Sequence, residues 1–523
     1  MPETFAQRLR NVMDDRGFKQ VDLINAAAAR GEKLGKSQLS QYVSGKTVPR
    51  PAAAELLASL LGVPAPWLAD GDGPAASTPT ASASAPIATA LARPVRATAR
   101  PATASPSPIK PATVRSDHMR QFKKSSKLDN VLYDVRGPVV DEAARMEAEG
   151  QRILKLNIGN PAPFGFRTPD EVVQDMRQQL TECEGYSDSR GLFSARKAIM
   201  QYSQILGLPN VTMEDIYTGN GVSELINLCM QAILDNGDEI LIPAPDYPLW
   251  TACATLAGGT PVHYICDEQA EWNPDIADIR AKITSRTKAI VIINPNNPTG
   301  AVYSREVLAE IVEVAREHQL MILSDEIYDR LVMDGLTHTS IASMAPDLFC
   351  ITFSGLSKSH MIAGYRIGWM ILSGNKRCAR DLILGINMLS NMRLCSNVPA
   401  QSIVQTALWG HQSVRDYIVP GGRVFEQREC VYEGLNAIDG ISAAKPHGAF
   451  YIFPKIDVKK FGITDDEQFA LDLLHDKHVL IVPGKGFNWP HPDHFRVVYL
   501  PRRRVLRECM EDIAEFLETY RQN

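Results

Sequence analysis

No run of about 18 uninterrupted apolar residues occurs in the 523-residue chain, which argues against a helix built to span a bilayer. No secretory leader is expected either, because the opening MPETFAQRLRNVMDDRG is too polar for one. Cysteine is sparse, nine in all, and no two form a CxxC pair. That excludes a disulfide framework and a zinc-ribbon spacing, and it points to reduced thiols in a cytoplasmic protein. The eleven histidines form no ligand-like cluster, so no metal is expected. A strong excess of one charge is missing too. The formal net charge is −5, a mild argument against nucleic acid if the charge is evenly spread. What the chain does contain is 45% hydrophobic residues, enough for sizeable cores. At roughly 150 residues per domain, its length predicts about three domains.

The charge is not evenly spread. Residues 1–72 carry nine basic and eight acidic side chains, net +1; residues 73–116 carry five basic and no acidic ones, net +5; the rest of the chain is net −11. The middle zone is of low complexity: 32 of the 42 residues from Gly73 to Val114 are Ala, Pro, Ser or Thr, and none is aromatic. Such a segment buries too little apolar area to offset its ordering entropy, so a disordered tether over 73–123 is expected.

The front zone, 1–72, has helical periodicity throughout. Phe5, Leu9, Val12 and Met13 share one face, and Val21, Ile24 and Ala28 predict a second helix. A third helix is expected to begin near Ser37, a favourable N-cap, to bury Leu39, Tyr42 and Val43, and to end at Gly45. Pro51 opens a fourth carrying Leu56, Leu57, Leu60 and Leu61, closed by Gly62, and a short turn around Pro66–Leu68 follows. The order of elements, with SQLSQYVSGKTVPRPAAAELLASLLGV, resembles the all-α helix-turn-helix domain of Cro/repressor-type regulators. The resemblance implies that the third helix enters the DNA major groove, with Lys36, Gln38 and Gln41 as base or phosphate contacts and Lys46 and Arg50 as phosphate contacts. The connection RGEKLGK is longer than the tight turn usual in that family.

From about residue 210, short β-branched runs alternate with helical patterns. EILIPA, PVHYIC, AIVIINP, MILSDE, FCITFS and RIGWMIL read as strands, and SREVLAEIVEVAREH as one of the intervening helices. This alternation predicts an α/β fold with a mainly parallel sheet, whose ligands bind beyond the carboxyl ends of the strands. Four polar signatures sit at such ends. TGNGVSELINL (218–228) offers free backbone N–H groups at a helix start, a fit for phosphate. INPNNPTGAVYS (293–304) is an Asn–Pro turn after a buried strand. SDEIYD (324–329) puts Asp325 at the end of an apolar strand, where an acid needs a partner. SGLSKSHMIAGYRIGWM (354–370) places Lys358 among small residues, with Arg366 eight positions on. Each alone reads as an ordinary turn or a solvated side chain. In this order they match what pyridoxal phosphate needs: a Schiff-base lysine, an acid for the pyridine nitrogen and an anion site.

From Lys124 to the C-terminus, with KLNIGNPAPFGF, APDYPLW, INPNNPTGAVYS and FNWP, the chain resembles the fold-type I, class I/II pyridoxal phosphate aminotransferases, and among them the bacterial glutamate–pyruvate (alanine) type. That resemblance implies a large domain over about 160–410 and a small one combining about 127–159 with 411–523. HGAFYIFPKI and VLIVPGKGFNWP would then supply small-domain strands. It implies that Lys358 binds the cofactor and shuttles the substrate proton, that Asp325 holds the pyridine nitrogen protonated, and that Tyr328 and Asn297 hydrogen-bond the ring oxygen. It further implies that Tyr247 stacks on the ring and that Gly221, Val222 and Arg366 hold the phosphate. Ser354 or Ser357 would stand in for a hydroxyl the family often carries where this chain has Gly355. Tyr186, in GYSDSRG, would reach the partner subunit's phosphate, which implies a homodimer. Arg496 in FRVVYL would pair with the substrate α-carboxylate, with Gly159 and Asn297 completing the pocket. Tyr133 and Arg136, in VLYDVRG, are the candidates for the substrate side chain.

The expected protein is therefore multidomain: a helix-turn-helix module (1–72), a tether (73–123) and an α/β transaminase (124–523) acting on alanine or glutamate with pyruvate or 2-oxoglutarate. Two other readings stand beside it. One is a transcription regulator that uses the aminotransferase-like body as a sensor. The other is an aromatic or branched-chain transaminase on the same fold.

Overall fold

The computed structural model describes residues 4–32, 34–70, 122–129, 131 and 137–522. It divides into two compact units, one holding residues 4–70 and the other residues 122–522. Residues 73–121, most of the expected tether, lie outside the described residues.

The first unit is entirely helical: α1 (Phe5–Asp15), α2 (Gln20–Ala29), α3 (Lys36–Ser44), α4 (Pro51–Leu61) and α5 (Ala65–Asp70). Thr4 caps α1 in a reciprocal box with Gln7, which satisfies amides the helix itself leaves open. Phe5, Leu9, Val12 and Met13 of α1 pack with Leu39 and Tyr42 of α3 and Leu57 and Leu61 of α4 in one core. Gly45 and Gly62 end α3 and α4 in the left-handed conformation, and Pro51 occupies the first turn of α4. The second helix predicted from Val21, Ile24 and Ala28 forms as α2, while the expected start of α3 needs correction. Gly35, not Ser37, caps α3, and Ser37 lies inside the helix. The buried face of α2 is Leu23 and Ala27, with Val21 at 54% exposure and Ala28 outside as well. A short helix lodged against two neighbours buries the positions they dictate, whichever of its residues are β-branched.

The second unit opens with the helix Pro138–Ala148 and strand β1 (Leu154–Lys155). Its centre is an eight-stranded sheet of β2 (Ile216–Gly219), β3 (Glu239–Ala244), β4 (Thr260–Asp267), β5 (Asn273–Pro274), β6 (Thr287–Ile293), β7 (Met321–Asp325), β8 (Phe349–Gly355) and β9 (Gly368–Gly374). The spatial order is β2-β9-β8-β7-β6-β3-β4-β5. Strands β4, β3, β6, β7 and β8 run parallel; β9 is antiparallel to both its neighbours. Helices cover both faces, so β6 buries alternate residues on opposite sides, Ile290 and Ile292 in one core and Val291 and Ile293 in the other. The run read as a strand from Arg366 begins only at Gly368, because Arg366 is itself left-handed. Strand β2, hidden in sequence behind the TGNG turn, is the one the alternation of apolar runs does not display.

The C-terminal part builds a smaller layer. Tyr451–Ile452, Phe495–Val498 and Val482–Pro483 form a three-stranded sheet, and β1 pairs in parallel with Val479–Leu480. Helix Pro138–Ala148 shares a core with the C-terminal helix Arg503–Thr519, so the start of this unit folds with its end. No helix among the described residues is long and apolar enough to cross a membrane.

Leu57 is fully buried at the centre of the first unit. Leu57→Ala is expected to cost that unit about 2–5 kcal/mol. Hydrogen exchange would show protection lost in residues 5–70 and retained in the eight-stranded sheet.

Candidate active site

The parallel strands end side by side, and their carboxyl ends carry the functional side chains. Asp325 closes β7 and is almost wholly buried. The Trp250 indole Nε1 donates to its Oδ2 at 3.2 Å, and the Ile327 amide to its Oδ1 at 3.3 Å. Burial drives the Asp325 carboxyl up to about 6, against the pull of those two donors and of Lys358, while the Glu326 charge pushes it further up. An acid held this way is ready for a cationic partner, which would restore its ionised form.

After β2 the chain turns at Gly221 (φ +82°) into the helix Val222–Ile233, whose first amides are unused by the helix. The Arg366 guanidinium comes across this turn and donates to the Asn220 carbonyl at 3.1 Å and the Ala363 carbonyl at 2.9 Å. A Cβ on Gly221 would lie 2.3 Å from Arg366 Nη2, and one on Gly368 would lie 2.6 Å from the Val222 nitrogen. Both positions must be glycine for helix start and guanidinium to converge, and together they form an anion cradle. Gly355 has the same kind of reason: a Cβ there would meet the Ile367 carbonyl at 2.8 Å. Of the two serines left open, Ser354 already donates to the Glu326 carbonyl at 3.4 Å.

Lys358, after β8, donates through Nζ to the Gly159 carbonyl at 2.7 Å. Gly159 is pressed against Tyr451, whose hydroxyl would sit 2.1 Å from any Cβ placed there. The Tyr451 hydroxyl meets that of Tyr328 at 2.6 Å. Burial holds the Tyr328 phenol far above its ordinary range, helped by Tyr451 and opposed by Arg496. Arg496 is 2% exposed and donates to Asn297 Oδ1 at 2.8 Å and to the Asn157 carbonyl. Its guanidinium lies 4.5 Å from the ring centres of both Tyr451 and Phe487, a sandwich that holds a planar cation in a fixed orientation.

Lys358, Asp325, Tyr328, Asn297, Arg496 and Gly159 are linked through these contacts, with Gly221, Val222 and Arg366 at the neighbouring strand end. Tyr247 is half-buried in the turn after β3, three residues from Trp250. Tyr186 is 83% exposed, outside this cluster within one chain. Tyr133 and Arg136 lie outside the described residues. Lys36, Gln38, Gln41, Lys46 and Arg50 are all exposed on the first unit. Sequence reading missed Trp250, Tyr451, Phe487 and Asn157. Trp250 was findable as the residue one helical step beyond Tyr247; the other three enter by long-range folding and leave no local signal. Among the described residues no group of acids, histidines or cysteines is placed to hold a metal.

A buried acid, a lysine amine, a glycine-lined helix start and a buried arginine meet at one sheet edge, the groups that pyridoxal phosphate and an α-amino acid call for. The chain matches the family "Aminotransferase class I and II" over residues 151–513. It is 58% identical over 404 residues to glutamate-pyruvate aminotransferase AlaA of Haemophilus influenzae, covering 77% of this chain and 100% of that protein. Alanine aminotransferase of Mycobacterium tuberculosis is 56% identical over 411 residues, covering 78% and 96%. The crystal structure of an aminotransferase from Escherichia coli superposes with a TM-score of 0.77 at 58% identity, covering 77% of this chain and 100% of that one. The protein belongs to the class I and II aminotransferases. It is a pyridoxal phosphate-dependent transaminase, and the first unit lies outside the matched region.

In the cofactor-free protein the raised Asp325 means that the native state holds a proton the unfolded chain has released. Stability therefore falls as pH rises from about 4 to about 6. Asp325→Asn is expected to make the cofactor-free protein up to about 3 kcal/mol more stable than the parent at pH 7. The difference should vanish near pH 4 in denaturant titrations, and the variant should bind pyridoxal phosphate more weakly.

Proposed function

We propose that residues 124–523 exchange the amino group between alanine or glutamate and the 2-oxo acids pyruvate and 2-oxoglutarate. The relatives' names point to this substrate pair. The observation that carries the reading is the buried Arg496 between two aromatic rings, within one hydrogen bond of Asn297 and beside the Lys358–Gly159 contact. Arg496 takes the substrate α-carboxylate in a bidentate pair, which turns the Cα proton toward the Lys358 amine. Lys358, as the nearby amine, would hold and move that proton. When bound, pyridoxal phosphate supplies the electron sink and carries the amino group between the two half-reactions.

Asp325 keeps the proton on the pyridine nitrogen, and Tyr247 covers the ring. Because Asn297 Oδ1 is taken by Arg496, its amide Nδ2 is left to donate to the ring oxygen, with Tyr328 as second donor. The Gly221 and Val222 amides and Arg366 hold the phosphate. Tyr133 and Arg136 contact the substrate side chain, Arg136 serving the second carboxylate of glutamate. Tyr186 reaches the phosphate of a second copy's site. The helix Arg380–Arg393 supports such a homodimer, with Leu384, Met388 and Met392 on one exposed stripe.

Incubation of the pyridoxal phosphate-loaded enzyme with glutamate and pyruvate is expected to yield alanine, and a panel of amino donors to show aromatic and branched-chain substrates far behind. Lys358→Ala should abolish turnover. Arg496→Lys should raise KM for every amino donor at least tenfold, because an ammonium cannot make the paired contact. Equal rates across the panel would exclude the alanine-type assignment.

We further propose that residues 1–72 are a helix-turn-helix module that binds DNA, tethered through residues 73–123, in a cytoplasmic protein. The exposed Lys36, Gln38 and Gln41 on α3, flanked by Lys46 and Arg50, favour it. It makes the second reading, a regulator that senses amino acids, compatible with an active enzyme. Retention of genomic fragments by the full chain should weaken steeply between about 50 and 200 mM salt. It should fall again in the double variant Gln38→Ala, Gln41→Ala. No sequence-selective retention at low salt would exclude the module from DNA.

A further inference from the structure

Asp325 is followed by a second acid that the transaminase chemistry described above does not use. Glu326 is 1% exposed, and its carboxylate lies on the side of Ser324, two residues back along the chain. There Ser324 and Ser340 both donate to its Oε1 at 2.8 Å, and the His338 ring meets its Oε2 through Nε2 at 3.1 Å. The backbone of the same residue is held too, its amide donating to the Phe353 carbonyl at 2.8 Å and its carbonyl accepting from Ser354. His338 has a buried side chain with Glu326 as its hydrogen-bonding partner, and among the described residues its Nδ1 has none. A buried imidazole kept with half its capacity unused costs stability, which calls for a reason in what the other half does.

Two adjacent carboxylates at the end of a buried strand repel each other, and the effect of Glu326 on Asp325 is to oppose its ionisation. We propose that His338 and Glu326 are a buried counter-ion pair that shields Asp325, so that the acid facing the cofactor stays ionised and keeps its hold on the pyridine nitrogen. His338 and Glu326 are thus positioning residues, acting through Asp325 without touching cofactor or substrate. The inference rests on the role given to Asp325 above.

The surroundings agree in sign. Burial works against an imidazolium, but the charge and hydrogen bond of Glu326, with Asp329, hold His338 above its ordinary value. The other titratable or charged groups facing this cluster are few. Asp329 accepts from the Tyr202 hydroxyl at 2.7 Å and feels Arg330 nearby. Arg330 itself lies over the Tyr202 ring and donates to Gln412. The Cys350 thiol on β8 is driven up to about 12 by burial and, further, by Glu326. Lys358 and Tyr328 face Asp325 from the cofactor side. Within this set, His338 is the basic group that engages Glu326 directly.

The test is equilibrium binding of pyridoxal phosphate to cofactor-free enzyme as a function of pH, read by absorbance, on the full chain. Binding should weaken as pH falls through the Asp325 transition. His338→Gln leaves Glu326 uncompensated; it should move that transition up by about one pH unit, weakening binding about twofold at pH 7 and about tenfold at pH 5. Glu326→Gln removes the repelling charge and should move the transition down. The double variant removes both charges and should return the profile close to that of the parent. Packing alone predicts instead that the double variant is at least as impaired as His338→Gln, and that result would overturn the proposal. If His338→Gln does not fold, an unmoved transition in Glu326→Gln overturns it. Asp325→Asn is the control: if it leaves cofactor affinity intact, the role of Asp325 fails; if it weakens affinity while His338→Gln does not, only the counter-ion pair fails.

Discussion

Placing a carboxylate at the dry end of a central parallel strand is costly, and much of the second unit is arranged around meeting that cost at Asp325. The strand is buried on both faces because helices cover both sides of the sheet, so water is not available to solvate its last residue. Partners must come from elsewhere in the chain. Trp250 brings one from the helix after β3, Ile327 brings one from the next turn, and Lys358 contributes charge from beyond β8. These elements meet only because β3, β6, β7 and β8 are neighbours with their carboxyl ends on one edge. The same edge supplies the Gly221 turn and the Asn297 loop, so one topological fact brings all of these groups together.

Arg496 shows how the smaller layer is tied to that edge. It stands on the strand Phe495–Val498, yet its hydrogen bonds go to Asn297 after β6 and to Asn157 after β1. A second tie lies beside it. The buried carboxylate of Asp246, pushed up to about 7 by burial, accepts from Asn488 at 2.7 Å, and the Asp246 amide donates to the Phe487 carbonyl at 3.0 Å. Asp246 precedes Tyr247, and Phe487 flanks Arg496. The turn that carries Tyr247 and the loop beside Arg496 are therefore held together through Asp246. Ordinary backbone and amide hydrogen bonds thus fix the large sheet's edge against the smaller layer.

The first unit is governed by a simpler rule. Its helices are short, and their stability comes from one shared apolar core in place of intrinsic propensity. Glycine stops and a proline start are local, so Gly45, Gly62 and Pro51 could be read directly from the chain, whereas the cap of α3 fell on Gly35 and not on Ser37. The buried face of α2 could not, since Val21, Ile24 and Ala28 are as plausible by period as Leu23 and Ala27. Which set turns inward depends on where α3 and α4 lie.

The same division runs through the whole protein. Apolar runs bounded by turn residues determined the central strands to within a few residues, because a strand buried on both faces must be continuously apolar. The order of Gly, Asn, Asp, Lys and Arg signatures determined the chemistry, because a cofactor with a phosphate, a basic ring nitrogen and an aldehyde demands those groups. Tertiary structure alone decided which side chains complete the site. Tyr451, Phe487, Asn157 and Trp250 look in sequence like ordinary strand, turn or core residues. The pairing of Glu326 with His338 likewise needs two segments to return to one sheet edge. Local sequence specifies what a residue can donate, accept or bury; only the packed chain specifies what stands opposite it, and at this site the opposite partner sets the charge.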